Sequence, residues 1–207
     1  MIQKTLVVAL VLAVATPAAR AEDPFTDPLI KQIQERHEKG VQGDKKEVKL
    51  LMEDLEKLSK ERPGNALIKA YLGSTYTLRS RDVFVGPSKY HYLKEGLKTM
   101  DAAVDAAPTD PAVRFIRAVN NFHLPAFCNR RATARNDFQI LLQEVSAEKP
   151  PDLNTETVQA IYYYAGLSYQ QQSLKGEARD TLQRGLDLAP ASELAKKIQV
   201  ALSKIGS

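Results

Sequence analysis

The sequence predicts an all-α fold, an α-solenoid of about four helix pairs followed by a C-terminal capping helix. Three observations carry that expectation. Pro63, Pro108, Pro150 and Pro190 each close an amphipathic helical stretch, at intervals of 45, 42 and 40 residues, and regular stops of this kind mark a helical repeat array. Stop-and-start chemistry recurs between the stretches, as in Asp27-Pro28 and the run from Pro108 to Pro111, where a capping residue precedes a proline at the first helical position. No segment alternates apolar and polar side chains over a useful length, as a half-buried strand would.

The first 21 residues read as a cleavable signal peptide. Lys4 gives a short positive start, Thr5 to Ala15 is an apolar run, and Ala19-Arg20-Ala21 is a small-x-small cleavage pattern. The run is short for a permanent anchor, which needs about 20 apolar residues. One domain, residues 22–207, is expected to follow.

The first unit, about 28–63, opens with a short helix ending at Gly40. Asp44 then caps a long helix with Val48, Leu51, Met52, Leu55 and Leu58 at helical spacing. In the second unit, about 66–108, a helix from Ala66 to Arg79 is followed by one from Lys89 to Ala106. The intervening run, Arg79 to Lys89, reads as an enlarged turn whose Phe84 and Val85 are too apolar to sit freely in water. The third unit, about 111–150, places Val113, Phe115, Ile116, Val119 and Phe122 on a helix that stops before Pro125, with a partner from Ala132 to Val145. The fourth, about 155–190, spans Thr155 to Gln171 and Gly176 to Leu188. A cap over about 192–204 turns Ile198 and Leu202 inward.

Removing the leader leaves 27 basic against 25 acidic residues. Near-balanced charge gives no footprint for nucleic acid. Cys128 is the only cysteine, so no internal disulfide forms and packing alone must hold the chain. It reads as a half-buried, small apolar residue.

The segment from Gln159 to Pro190 resembles a tetratricopeptide repeat. Its signature slots fall, without gaps, on Tyr162, Ala165, Gly166, Tyr169, Ala178, Leu182, Gly185 and Pro190. Gly166 and Ala178 are small where two helices cross. The second unit matches through Leu72, Gly73 and Tyr76, then Gly96, Met100, Ala103 and Pro108, with eleven residues too many between its halves. The third fits if Phe115, Ala118, Val119 and Phe122 are taken with a one-residue slip, and the first fits only in its second helix. Periods of 40 to 45 also suit HEAT-type arrays; the small pair with Tyr169 favours tetratricopeptide repeats. The run KYHYLKEGLKTMDAAVDAAPTDPAVRF, with HLPAF beyond it, is similar to exported, uncharacterised bacterial proteins of this class.

In that family the first helix of each pair lines a concave groove. The resemblance implies groove positions at Ser74 and Thr77 in the second unit and at Ala160, Tyr163, Leu167, Gln170 and Gln171 in the last. In the third unit His123 reaches the groove in either register. Asn120 does so only in the slipped one, and Phe115, Val119 and Phe122 only in the other. Aromatics, amides and an imidazole on one inner curve suit a peptide held by a few anchors. The loops at 79–89 and 123–131 compete for the same face, since long loops in compact arrays often carry function.

Arg114, Arg117, Arg130, Arg131 and Arg135 gather around the third unit. Such a cluster can grip a carboxylate or phosphate. The alternative is a charged face paired with Asp101, Asp105, Asp110 or Asp137. His37, His91 and His123 lie in different units with no ligand spacing, so no metal site is expected. No nucleophile–base pair or phosphate loop emerges, so neither catalysis nor a cofactor is expected. The successive Tyr162, Tyr163 and Tyr164 must point in different directions from one helix: one into the repeat core, one to the groove, one to packing or the rim.

The sequence therefore predicts a non-enzymatic, periplasmic or secreted adaptor. It would bind a protein or peptide of the cell envelope in its groove, without nucleic acid and without stable membrane insertion. The alternative is a small-anion binder using Arg114, Arg117, Arg130 and Arg131.

Overall fold

In the computed structural model, residues 24–84, 86–147, 151 and 153–206 are described. The expected leader, residues 1–21, lies outside them, as does Val85. Among the described residues there are nine α-helices, two short 3-10 turns and no strand. Helices α1 (Pro28–Val41) and α2 (Lys45–Glu61) form the first hairpin, and α3 (Ala66–Asp82) and α4 (Pro87–Ala106) the second. The third is α5 (Pro111–His123) with α6 (Arg131–Val145), and the fourth α7 (Thr155–Gln171) with α8 (Lys175–Leu188). Helix α9 (Glu193–Ile205) follows.

Short polar side chains start most of these helices. Asp27 accepts from the Leu29 amide, Asp44 from Lys46 and Glu47, Asn65 from Ile68, and Asp110 from Ala112 and Val113. Asn154 and Ser192 do the same for α7 and α9. Each satisfies an amide that the helix itself leaves unpaired. Helix α4 starts differently: Gly86, at φ 109°, turns the chain and Pro87 presets the first turn.

Every helix packs on its neighbours in sequence, and the odd-numbered helices also pack on one another; the even-numbered ones do not pack extensively together. Side-chain bonds fix the odd helices in parallel register. Arg81, near the end of α3, donates to the carbonyls of Gly40 (2.8 Å) and Val41 (3.2 Å) at the end of α1. Gln170, late in α7, donates to Ala201 O, late in α9, at 2.9 Å. Thr77 and Asn120, late in α3 and α5, meet at 2.6 Å, and Phe122, Arg131 and Gln171 line one cleft at the ends of α5 and α7; all four odd-to-even turns therefore lie on one rim of the molecule.

The buried apolar side chains fall into three successive clusters among the described residues. The first joins α1 to α5 through residues such as Ile30, Leu55, Ile68 and Val113. The second joins α5, α6 and α7 around Phe138 and Ile161. The third joins α7, α8 and α9 around Leu182 and Ile198.

The enlarged turn expected at Arg79 to Lys89 is mostly helix. Helix α3 continues to Asp82 and α4 begins at Pro87, so only 83–86 connect them. The extension is held by Ser80, which donates to Lys89 O at 2.9 Å, by stacking of Tyr76 on Tyr92, and by the Arg79 guanidinium over the Tyr92 ring. Phe84 does not tuck into a groove: it is 95% exposed. The 123–131 segment lies where expected, with 124–130 joining α5 to α6, and a 3-10 turn occupies Ala126–Cys128 within it. Cys128 is half-buried there, and burial pushes its thiol pKa up.

Candidate functional site: the face of the odd-numbered helices

A chain of polar groups crosses this face from α1 through α3 to α5. His37 Nε2 lies 2.9 Å from Ser74 Oγ, which donates to Asn120 Oδ1 at 3.2 Å. With Ser74 donating to Asn120, the His37 tautomer protonated on Nε2 completes the chain as donor to Ser74. Thr77 Oγ1 lies 2.6 Å from Asn120 Oδ1 and 2.7 Å from Ser74 O, and its one proton serves either. Asn120 Nδ2 is buried and has no hydrogen-bond partner among the described residues. Burial, with Arg81 adding to it, depresses the His37 pKa to about 4, so the ring is neutral at physiological pH. Its edge meets Tyr71 at 5.6 Å.

Beside this seam stands an aromatic group centred on Tyr164. Its ring lies within 6.3 Å of those of Phe115, Phe122, His123 and Tyr163. Burial raises the Tyr164 pKa, and Tyr163 and the Glu38 carboxylate add to the rise. Glu38 sits on α1 and Tyr164 on α7, close enough across the seam for the carboxylate to act on the phenol. His123 is exposed at its outer edge, yet its ring packs on Phe122 and Tyr164, and burial lowers its pKa.

The expected groove residues divide. Asn120 and His123 both face inward, which is the slipped register of the third unit. Phe115, Val119 and Phe122 pack against the second apolar cluster, and Phe115 and Phe122 do so as part of the Tyr164 group beside the seam. Ser74 and Thr77 do face the seam but are almost wholly buried there. Leu167 and Tyr163 pack on the third cluster, and Gln170 is spent holding α9. The capping helix thus covers part of the face that the repeat pattern leaves open. Gln171 is exposed, at a small cleft shared with Arg131 and Arg135. Of the three tyrosines, Tyr162 lies against Gly185, Tyr163 reaches the third cluster and Tyr164 is the hub. His37, Glu38 and Tyr164 were not among the expected site residues. The first helix carries no repeat signature to flag the former two, and Tyr164 occupies no signature slot.

The arginine cluster is closed by carboxylates. Asp137, fully buried on α6, accepts from Arg117 Nε (2.9 Å) and Nη2 (2.8 Å) and from Arg114 Nη1 (3.1 Å). Arg114 also donates to Pro108 O. Asp101 on α4 accepts from Arg117 at 3.3 Å and from Arg130, and Arg130 also donates to Asn121 Oδ1. Burial opposes the Arg117 charge, but Asp137 and Asp101 outweigh it and raise its pKa. Arg131 is exposed and pairs with no carboxylate among the described residues. No group of three or more potential metal ligands occurs among the described residues.

No protein-family model, curated protein or solved structure matches the chain.

Proposed function

We propose that this chain is an exported, non-enzymatic adaptor of tetratricopeptide-like architecture. In this reading it holds an extended segment of another envelope protein along the face made by α1, α3, α5 and α7. The single observation that carries the reading is the His37–Ser74–Asn120 seam, which ends in a buried Asn120 amide with one polar atom unpartnered among the described residues. Buried polar atoms are nearly always satisfied, and the backbone of a bound segment, which offers both a carbonyl and an N–H, would satisfy this one after a small opening of the face. His123 and Glu38 flank the seam and supply polar contacts at its edge.

The repeat reading is supported by two helix crossings. A methyl group on Gly73 would lie 2.8 Å from Gly96 O, and one on Gly166 would lie 2.5 Å from Leu182 Cγ and 3.5 Å from Ala178 O. These are the small-residue positions that the family resemblance assigns to crossings. Export rests on the apolar run from Thr5 to Ala15.

The small-anion alternative loses support, because Arg114, Arg117 and Arg130 already hold carboxylates or carbonyls. The test is affinity capture from envelope extract with the wild-type chain, Glu38→Lys and His123→Ala as baits. Both substitutions lie at exposed positions and should leave the thermal midpoint within about 2–4 °C of wild type. A partner retained by wild type and lost by both variants supports the reading. Equal capture by all three baits removes this face from consideration.

A further inference from the structure

Eight large apolar side chains are exposed among the described residues, and five of them lie at the odd-to-even turns. Val41 sits at the end of α1, Phe84 and Tyr90 at the α3–α4 tip, Phe127 between α5 and α6, and Leu174 before α8. Phe84 is 95% exposed, Phe127 81% and Tyr90 69%. Single exposed apolar residues are ordinary, but their gathering on one rim is not.

The same rim gathers positive charge. Its four segments, 38–46, 81–91, 123–131 and 171–179, carry nine lysines and arginines against four aspartates and glutamates, an excess larger than the +4 of the whole chain. Lys39, Lys45, Lys46, Lys89, Arg131 and Lys175 are exposed, and none is ion-paired among the described residues. Of the four acids, Asp82 is buried against Arg81 and Asp44 caps α2.

Exposed aromatics set among unpaired cations match the chemistry of a membrane interface, where rings enter the headgroup layer and cations meet lipid phosphates. No helix among the described residues is long and apolar enough to cross a membrane, so the contact is peripheral. We propose that this rim docks onto an anionic lipid bilayer, with Phe84 and Phe127 entering the interface and the surrounding lysines facing the headgroups. The rim adjoins the α1–α7 face at Glu38 and His123, but Phe84, Phe127 and the lysines named here lie outside that face.

The chain has no tryptophan, so one introduced residue is a clean reporter. The full chain would be prepared as Phe84→Trp, Phe127→Trp and, on the opposite rim, Leu188→Trp. Each is mixed with vesicles of phosphatidylglycerol and phosphatidylcholine, or of phosphatidylcholine alone. The expected result is an emission shift to shorter wavelength, with quenching by brominated acyl chains, at 84 and 127 but not at 188, and only with the anionic vesicles. Lys46→Ala and Lys89→Ala should each lower partitioning about fivefold. Water-like emission at 84 and 127 would overturn the proposal. So would an equal response at 188, which would mean attachment through another part of the chain. A shift with poly-glutamate but not with vesicles would also overturn it, assigning the rim to an acidic protein.

Discussion

The backbones of Gly73 and Gly96 are in contact. A methyl group on Gly96 would lie 2.7 Å from Gly73 O and from Thr77 Cγ2, and the reciprocal methyl on Gly73 meets Met100 and the Gly96 carbonyl. The longest hairpin of the molecule, α3 with α4, is thus pinned at a point where neither helix tolerates a side chain.

Gly96→Ala should destabilise the protein by about 1–3 kcal/mol, the usual cost of overpacking, even though alanine is the better helix former. Gly176 sits in the first turn of α8 with open space around it. Gly176→Ala should therefore be neutral or stabilising by up to about 1 kcal/mol. Urea unfolding of the pair separates the effect of contact from that of backbone entropy. Equal behaviour would refute the contact.

Asp137 should be among the most sensitive polar positions. Asp137→Ala leaves Arg114 and Arg117 facing each other without their shared carboxylate, and should cost about 3–5 kcal/mol. Arg131→Ala, on the exposed side of the same cluster, should change stability by less than about 0.5 kcal/mol. Thermal denaturation of both variants at one pH checks the contrast.

Gln159 ties the end of α8 to the start of α9. Its amide donates to Gly185 O and Ala189 O, each at 2.9 Å, and its carbonyl accepts from Ser192 Oγ at 2.6 Å. Gln159→Met fills the space but strands these groups, and should cost about 2–4 kcal/mol. Hydrogen exchange should report the loss first in α9. Uniform loosening across all helices would argue against this local role.

His37 should make the protein acid-sensitive. Its folded pKa of about 4 lies below the ordinary value of 6.5, because burial and then Arg81 disfavour the cation. Above pH 6.5 both folded and unfolded forms are neutral and nothing is lost. As pH falls from 6.5 to 4 the unfolded chain takes up the proton first, and stability drops by up to roughly 3 kcal/mol. His37→Gln keeps a donor toward Ser74 and removes this slope. Stability of the two proteins measured from pH 7 to pH 4.5 should diverge; parallel curves would show that His37 does not titrate in this way.

Much of the helical layout was legible because its signals are local. Asp27, Asp44 and Asp110 cap helices where the sequence places starts, and Pro63 and Pro108 follow helix ends. The Gly73, Gly96 and Gly166 crossings were legible because only small residues fit them. The α3–α4 tip was misjudged, since RSRDVFVGPSK has the look of a turn while cross-hairpin bonds such as Ser80 to Lys89 extend the helices through it.

The candidate site was less legible, because it depends on what lies opposite each residue. The two registers of α5 assign Phe115 or Asn120 to the groove, and only the tertiary contacts set Asn120 against Ser74 and Thr77 and Phe115 against Tyr164. Leu167 and Gln170 fit the groove pattern, but α9 lies over them. The arginines could have awaited an anion, yet Asp137, twenty residues beyond Arg117 in the chain, already fills that place.

The sequence by itself determined that the chain is helical, where most helices begin and end, and which small residues let them approach. These follow from backbone hydrogen bonding and sterics within a few neighbouring residues. Only the tertiary structure decided which polar groups are consumed by one another and which remain available. Pairing depends on distances between residues far apart in the chain, and apolar burial fixes those distances without regard to the polar groups it carries along.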